Sequence, residues 1–246
     1  MKKFLSSLLL AICASSVLAQ QYDMSEQMIN TAHQRSTYYM KDSVFDLGVK
    51  FDEFIDKADK NIPVIVHSHG CGGIYTDDQL LKGFYTGLGY YFVMLDFHKR
   101  GDATASCAGG EKGGFIYHGD LKTRLPARIK ELENHISTLR SNGFKTVYAT
   151  GHSEGGMVVQ YLQSGVDGIV IHSMGCVPLR SHIDTKNVRT LHLVSLNDPL
   201  LGIQKGREVC TNRPNYTAVT SQRVTHSALA EPLWREKIKE FMSSTK

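Results

Sequence analysis

Thr146-Val147-Tyr148-Ala149-Thr150-Gly151-His152-Ser153-Glu154-Gly155-Gly156-Met157-Val158-Val159 is the stretch from which the rest of the chain is read. Val147 to Thr150 is β-rich, Gly151-His152-Ser153-Glu154-Gly155 has the pattern Gly-x-Ser-x-Gly, and the residues from Met157 can form a helix. A turn of this kind forces its central serine into a strained backbone conformation. It needs small residues at 151 and 155, where strand and helix pass close together, and it leaves the hydroxyl exposed above the sheet. Ser153 is therefore the candidate nucleophile, and the backbone N–H of Glu154, at the helix start, is a candidate oxyanion donor. A glycine-rich turn before a helix is the plainer alternative, so a base, an acid and a second donor must be found elsewhere.

Upstream, Ile62 to Ser68 is a continuous apolar run, as expected of a strand buried on both faces, and it leads into His69-Gly70-Cys71-Gly72-Gly73. The N–H of Cys71, with Gly72 in reserve, is the second candidate oxyanion donor, because two aligned donors stabilise an oxyanion better than one. Asp77 to Leu88 fits a helix and Tyr90 to Asp96 another buried strand. Phe97 to Tyr117 reads as the longest irregular stretch, and a loop of that length in a compact domain is usually functional or disordered. Its His98, Lys99, Arg100 and Lys112 fit a solvated surface and could also attract an anionic ester. Leu121, Leu125, Ile129, Leu132, Ile136 and Leu139 repeat every three or four residues and predict an amphipathic helix over 119–140.

Downstream, strands are expected at Gly168 to Met174, Val188 to Leu196 and Tyr216 to Thr220, with a short helix at Leu200 to Arg207 and a terminal helix from Ala228 to Met242. Val44 to Phe51 alternates apolar and polar residues, which suits a half-buried antiparallel edge strand that starts the sheet. Alternating strands and helices predict an α/β fold with a mainly parallel central sheet and helices on both faces. Only Gly175 to Asn187 separates two successive strands, so no large cap domain is expected there.

Leu191 to Leu196 is a buried strand that runs out into Asn197-Asp198-Pro199, which makes Asp198 the candidate acid. A turn-forming Asn-Asp-Pro is the alternative for that residue. His226, in Arg223-Val224-Thr225-His226-Ser227, follows the last expected strand and is the candidate base. In that arrangement His226 takes the proton from Ser153 Oγ and returns it to the leaving group, while Asp198 fixes the tautomer and stabilises the imidazolium.

The chain's 246 residues, 41% of them hydrophobic, suffice for one domain with a full core. The formal net charge is +4, with Lys2 and Lys3 contributing two of the positive charges, which is too weak and too dispersed to argue for nucleic acid or a membrane surface, and no nucleic-acid partner is expected. Residues 1–19 have the layout of a secretory signal peptide: two lysines, an apolar run from Phe4 to Ile12, and small residues ending in Val17-Leu18-Ala19. That run is too short for a bilayer span. The expected product is exported, periplasmic or secreted, with a bacterial-type leader and no stable membrane insertion after cleavage.

Residues 20–43 have no assignable role, and residues 44–246 form the expected domain. Cys71, Cys107, Cys176 and Cys210 remain after cleavage. Their placement at strand ends suggests the disulfides Cys71–Cys107 and Cys176–Cys210, against four buried free thiols. His67 and His69 on one strand face, with His152 and His172 near the same sheet end, make a metal site conceivable, but a satisfied histidine beside the loop explains His69 more simply.

Gly-His-Ser-Glu-Gly, Leu-Asn-Asp and Thr-His in this order, with an early His-Gly-Cys-Gly-Gly and then Asp96, Arg100-Gly101 and Cys107, resemble the α/β-hydrolase superfamily, most closely its dienelactone hydrolase-like branch. The resemblance covers about residues 44 to 243 and implies nucleophile Ser153, acid Asp198 and base His226, with no cofactor and no metal. It departs at the nucleophile, which is cysteine in typical dienelactone hydrolases. The serine favours a general carboxylic ester hydrolase acting on a small-molecule ester. A peptidase or amidase with the same triad, and a non-catalytic binding protein on the same fold, are the rivals.

Overall fold

Strands of five or six residues, all but the edge strand Tyr216–Ser221 mostly buried, assemble into one six-stranded sheet whose paired strands are all parallel. The computed structural model describes residues 49–74, 76–97, 107–109, 115–117, 121–176, 188–201 and 215–244. The elements are α1 (Val49–Lys57), β1 (Val64–Ser68), α2 (Thr76–Gly87), β2 (Tyr91–Leu95), β3 (Cys107–Gly109), β4 (Phe115–Tyr117), α3 (Leu121–Ser141), β5 (Val147–His152), α4 (Glu154–Val159), β6 (Gly168–His172), β7 (Thr190–Ser195), β8 (Tyr216–Ser221) and α5 (Pro232–Ser243).

The strand order is β2-β1-β5-β6-β7-β8. From β1 the chain steps outward to β2, then returns to the other side of β1 as β5 and continues away from it. The order therefore reverses between β1 and β5, which makes their carboxyl ends the switch point of the sheet.

Strand residues alternate between two cores. On one face Val64, Val66, Ala149, Ile169 and Ile171 pack with α1, α3 and α4 through Phe54, Leu132, Ile136, Val158 and Val159. On the other face Ile65, Tyr148, Val170, Leu191 and Leu193 pack with α2 and α5 through Leu81, Tyr85, Trp234 and Ile238. Among the described residues no large cap domain covers the sheet, and no helix is long and apolar enough to cross a membrane.

Three expectations change. The edge strand predicted at Val44 to Phe51 is overturned from residue 49 on, where the chain is the helix α1; residues 44–48 lie outside the described residues. Phe51, Phe54, Ile55 and Ala58 are buried at spacings of three, one and three, a helical stripe that the short upstream alternation hid. The terminal helix starts at Pro232, not Ala228, because proline at the first helical position holds Glu231 extended (φ −106°, ψ 126°). The stretch 97–117 is not wholly irregular. Cys107–Gly109 pairs antiparallel with Phe115–Tyr117 as a small separate sheet. The helix expected at 200–207 and the short link at 175–187 lie largely outside the described residues.

The register of α1 gives a direct test. Phe54 is 1% exposed and lies against Tyr91 and Phe144 at ring-centroid distances of 5.3 and 5.4 Å, whereas Glu53 faces solvent and pairs with Lys57. Phe54→Ala is expected to lower unfolding free energy by about 3–5 kcal/mol, and Glu53→Ala by about 0.5 kcal/mol or less, as read from urea denaturation. Equal losses at 53 and 54 would contradict the helix.

Candidate functional site

Ser153 stands where β5 turns into α4, with φ 55° and ψ −122°. It is one of three non-glycine residues with positive φ among the described residues, a conformation that costs about 1–3 kcal/mol and must be held by its surroundings. The small residues that the turn demands are present. A Cβ on Gly155 would lie 1.8 Å from the Ser68 carbonyl oxygen, and one on Gly151 would lie 2.1 Å from the Gly155 oxygen. The Ser153 N–H donates to the His172 carbonyl at 3.0 Å, so the strained peptide is not left unsatisfied.

The loop leaving β1 meets this turn. Gly70 packs so closely that a Cβ there would be 3.3 Å from Ser153 Cβ. Cys71 follows, buried, in a turn closed by the Gly70–Gly73 bridge. His69 fastens the loop from behind: its Nε2 accepts the Phe97 N–H at 3.1 Å, so its Nδ1 carries the proton and donates to the Gly70 carbonyl at 2.6 Å.

Asp198 and His226, the candidate acid and base, come together. His226 Nδ1 lies 2.7 Å from Asp198 Oδ2, and Asp198 is only 3% exposed. The other carboxylate oxygen accepts the N–H groups of Leu200 and Leu201 at 2.9 and 3.2 Å. Asn197 Nδ2 donates to the Gln222 carbonyl at 2.6 Å, which ties the loop of the candidate acid to that of the candidate base. The base loop is also clamped from the sheet and from α2. His152, beside Ser153, donates from Nε2 to the His226 carbonyl at 2.9 Å, and their rings lie 5.0 Å apart. Asp77 Oδ1 accepts from Ser227 Oγ at 2.5 Å and from the Ala228 N–H at 3.2 Å.

Beneath lies a layer of buried histidines. His67 Nε2 meets Asp78 Oδ1 at 2.7 Å. His172 donates from Nδ1 to the Ala228 carbonyl at 3.1 Å and accepts from Tyr85 OH at 3.2 Å, which makes it a neutral imidazole. Burial pushes the His172 pKa down to about 3. Burial, and then the neighbouring charge of His226, lower that of His152. His69 instead stacks edge-on against Phe97 on the opposite face, so His67 and His69 do not converge. Among the described residues no group of three His, Cys, Asp or Glu is arranged to hold a metal.

Glu154 carries a feature not anticipated from the sequence: its carboxylate, 1% exposed, pairs with Arg128 Nη1 at 2.6 Å. The signal was present, since Arg128 sits three residues after Leu125 and four before Leu132, on the apolar stripe of α3. A charge in that stripe calls for a buried partner.

Solved structures share this architecture at low sequence identity. One is a hydrolase of the α/β superfamily from Xanthomonas campestris pv. campestris (15% identity, 74% of this chain and 99% of that one, TM-score 0.50). Another is a dienelactone hydrolase-like promiscuous phosphotriesterase from metagenomic libraries (15%, 76% and 87%, 0.53). A third is an esterase from Pyrococcus furiosus (14%, 76% and 84%, 0.53). The chain has the α/β-hydrolase fold. The resemblance drawn from its motifs therefore extends to structures, the dienelactone hydrolase-like branch among them. No protein-family model and no curated protein sequence matches the chain. Within the α/β-hydrolase fold, Ser153 occupies the turn after the strand on one side of the switch point, and Gly70 and Cys71 occupy the loop on the other.

The buried histidines make stability depend on pH. Between the ordinary histidine value near 6.5 and about 3, unfolded His172 binds a proton that folded His172 does not, so stability falls as pH drops through that window. His152 adds in the same direction. From pH 7 to pH 5 a His172→Gln variant should lose roughly 1–2 kcal/mol less than the unsubstituted protein, although it is the weaker of the two at pH 7. Parallel pH curves from urea denaturation would rule this out.

Proposed function

We propose that this protein is an exported serine hydrolase that cleaves carboxylic esters of small or moderate size through an acyl-enzyme on Ser153. The observation that carries the proposal is the pair of buried Asp198 with half-buried His226 at 2.7 Å, whose loop is bonded to His152, the residue next to the strained Ser153. An acid, a base and a hydroxyl brought to one end of a sheet in this chain order are what acyl transfer requires.

In the proposed mechanism His226 Nε2 accepts the Ser153 proton as Oγ attacks the ester carbonyl. Asp198, already accepting the Nδ1 proton of His226, holds the imidazole in the tautomer that leaves Nε2 free to act as base. Its second oxygen is occupied by two backbone N–H groups, so the carboxylate stays turned toward His226. The N–H groups of Glu154 and Cys71 receive the oxyanion of the tetrahedral intermediate. Support comes from their placement, Glu154 at the first position of α4 and Cys71 directly after the glycine that touches Ser153. His226 then protonates the leaving alcohol, and water repeats the cycle to free the acid.

Ser153→Ala is expected to remove p-nitrophenyl ester hydrolysis and labelling by a fluorophosphonate, with circular dichroism and thermal midpoint unchanged. Asp198→Asn should lower kcat by about 10⁴ with KM little altered, because the wrong tautomer then faces the serine. If Ser153→Ala keeps most of its activity, Ser153 is not the nucleophile. If the probe labels Ser153 but only amides turn over, the protein is an amidase or peptidase. A probe that fails to label leaves a binding protein on this fold.

The export proposal carries the disulfides Cys71–Cys107 and Cys176–Cys210 with it. Support comes from Cys71 and Cys176, each of which is engaged with a partner. The first bond would tie the β3–β4 segment to the loop whose N–H must be held, and closing such a ring is worth about 3–4 kcal/mol by loop entropy. Peptide mapping of the unreduced mature protein should recover both pairs. A Cys71 peptide found free, or joined to Cys176 or Cys210, would exclude this pairing.

A further inference from the structure

Arg128 lies on the face of the sheet opposite the histidine layer and touches three separate segments of chain. Its Nη1 donates to Glu154 Oε1 at 2.6 Å. Its Nη2 donates to Ser68 Oγ at 3.0 Å and to the His69 carbonyl oxygen. Its Cζ stands 4.4 Å over the ring centroid of Phe97, at the end of β2. One planar, always-charged group thus joins the first residue of α4, the end of β1 and the end of β2, and it is 3% exposed.

We infer that Arg128 is a positioning residue that fixes the two halves of the oxyanion hole, the N–H of Glu154 and the N–H of Cys71, at their working separation. The inference rests on the ester-hydrolase function proposed for Ser153. The two donors come from different elements, α4 and the loop after β1, and the strand pairing of β1 with β5 ends at Ser68 and Gly151. Beyond that register the loop needs another fastening. Arg128 grips the His69–Gly70 peptide through its carbonyl, which sets the plane from which the Gly70–Cys71 turn departs, and it grips Glu154 by its side chain. A point-charge lysine cannot repeat this, because it lacks the planar fork that reaches Glu154 and the two β1 acceptors together.

Stability alone does not account for the pair. A buried ion pair generally adds no more than apolar side chains of the same volume would. The contact to a backbone carbonyl next to the donor loop is the part that apolar residues cannot supply.

The test compares Arg128→Lys with the double variant Arg128→Met/Glu154→Leu, which leaves no unpaired buried charge and so keeps the experiment informative where a single variant fails to fold. Three readouts are taken on each folded protein: kcat and KM for p-nitrophenyl butyrate, the inhibition constant of an alkyl trifluoromethyl ketone that forms a tetrahedral adduct on serine, and the thermal midpoint. The expected result for both is a fall in kcat of about ten- to a hundredfold, since small misplacements of reacting groups cost that much. KM should stay within about twofold, and the ketone should weaken in parallel with kcat. A merely structural role would move the thermal midpoint and leave the ketone constant unchanged. Folded variants with kcat and ketone affinity within about twofold of the unsubstituted protein overturn the inference alone. An unsubstituted protein that neither hydrolyses the ester nor binds the ketone overturns the proposed function and this inference with it.

Discussion

The close passage of α4 over the end of β1 is the constraint on which the site depends. The helix can approach Ser68 only because residue 155 has no side chain, and the strand that precedes it can fold back beneath only because residue 151 has none. With both glycines in place the chain has no room to relax Ser153 out of its positive-φ conformation. The strain is held by packing, and its result is a hydroxyl displayed at the switch point of the sheet.

The groups around that turn are fixed as well: the loop of the candidate acid Asp198, the loop of the candidate base His226 and the loop after β1 are each held by more than one bond. The acid loop is held by the bonds from Leu200 and Leu201 and by the link from Asn197 to Gln222. The base loop is held by His152 and Asp77 and by the carbonyl of Ala228, which His172 engages. Most of these partners are backbone groups, so they fix chain paths, and among the described residues the His226 imidazole bonds to Asp198. A neutral His152 next to His226 fits this arrangement, since a second imidazolium there would oppose the charge that His226 takes up in the proposed mechanism.

Much of this was legible in the sequence because strong local rules carried it. Apolar runs ending in Gly or Asp marked the strands at 64–68, 91–95, 147–152 and 190–195, and the turn chemistry around Ser153, Asp198 and His226 marked the candidate site. What escaped notice depended on pairings distant in sequence. Asp77 and Ser227 are 150 residues apart and Arg128 and Glu154 are 26 apart, and neither pair has a local signature beyond a charge on an otherwise apolar stripe. The misreading of residues 49–51 had another cause. Eight alternating residues outvoted a helical spacing that appears only once Phe54, Ile55 and Ala58 are included.

The placement of the polar residues follows from parity and register taken together. On β1, Ser68 shares a face with Val64 and Val66, and His67 shares one with Ile65. On β5, His152 falls on the face of Tyr148, and on β6 His172 falls on that of Val170. The register then sets His152 opposite His172 and His67 opposite Thr150, so two histidines lie side by side on the α2–α5 side and the third lies one step back on the same face. Ser68, one step out of phase, points to the α3 side, where Arg128 waits. The end of the sheet is therefore supported from both faces, with the base loop anchored through histidines on one and the loop after β1 gripped by an arginine on the other. A one-residue slip of β1 would exchange Ser68 and His67 between those faces and break both supports at once, which makes the strand pairing itself part of the site.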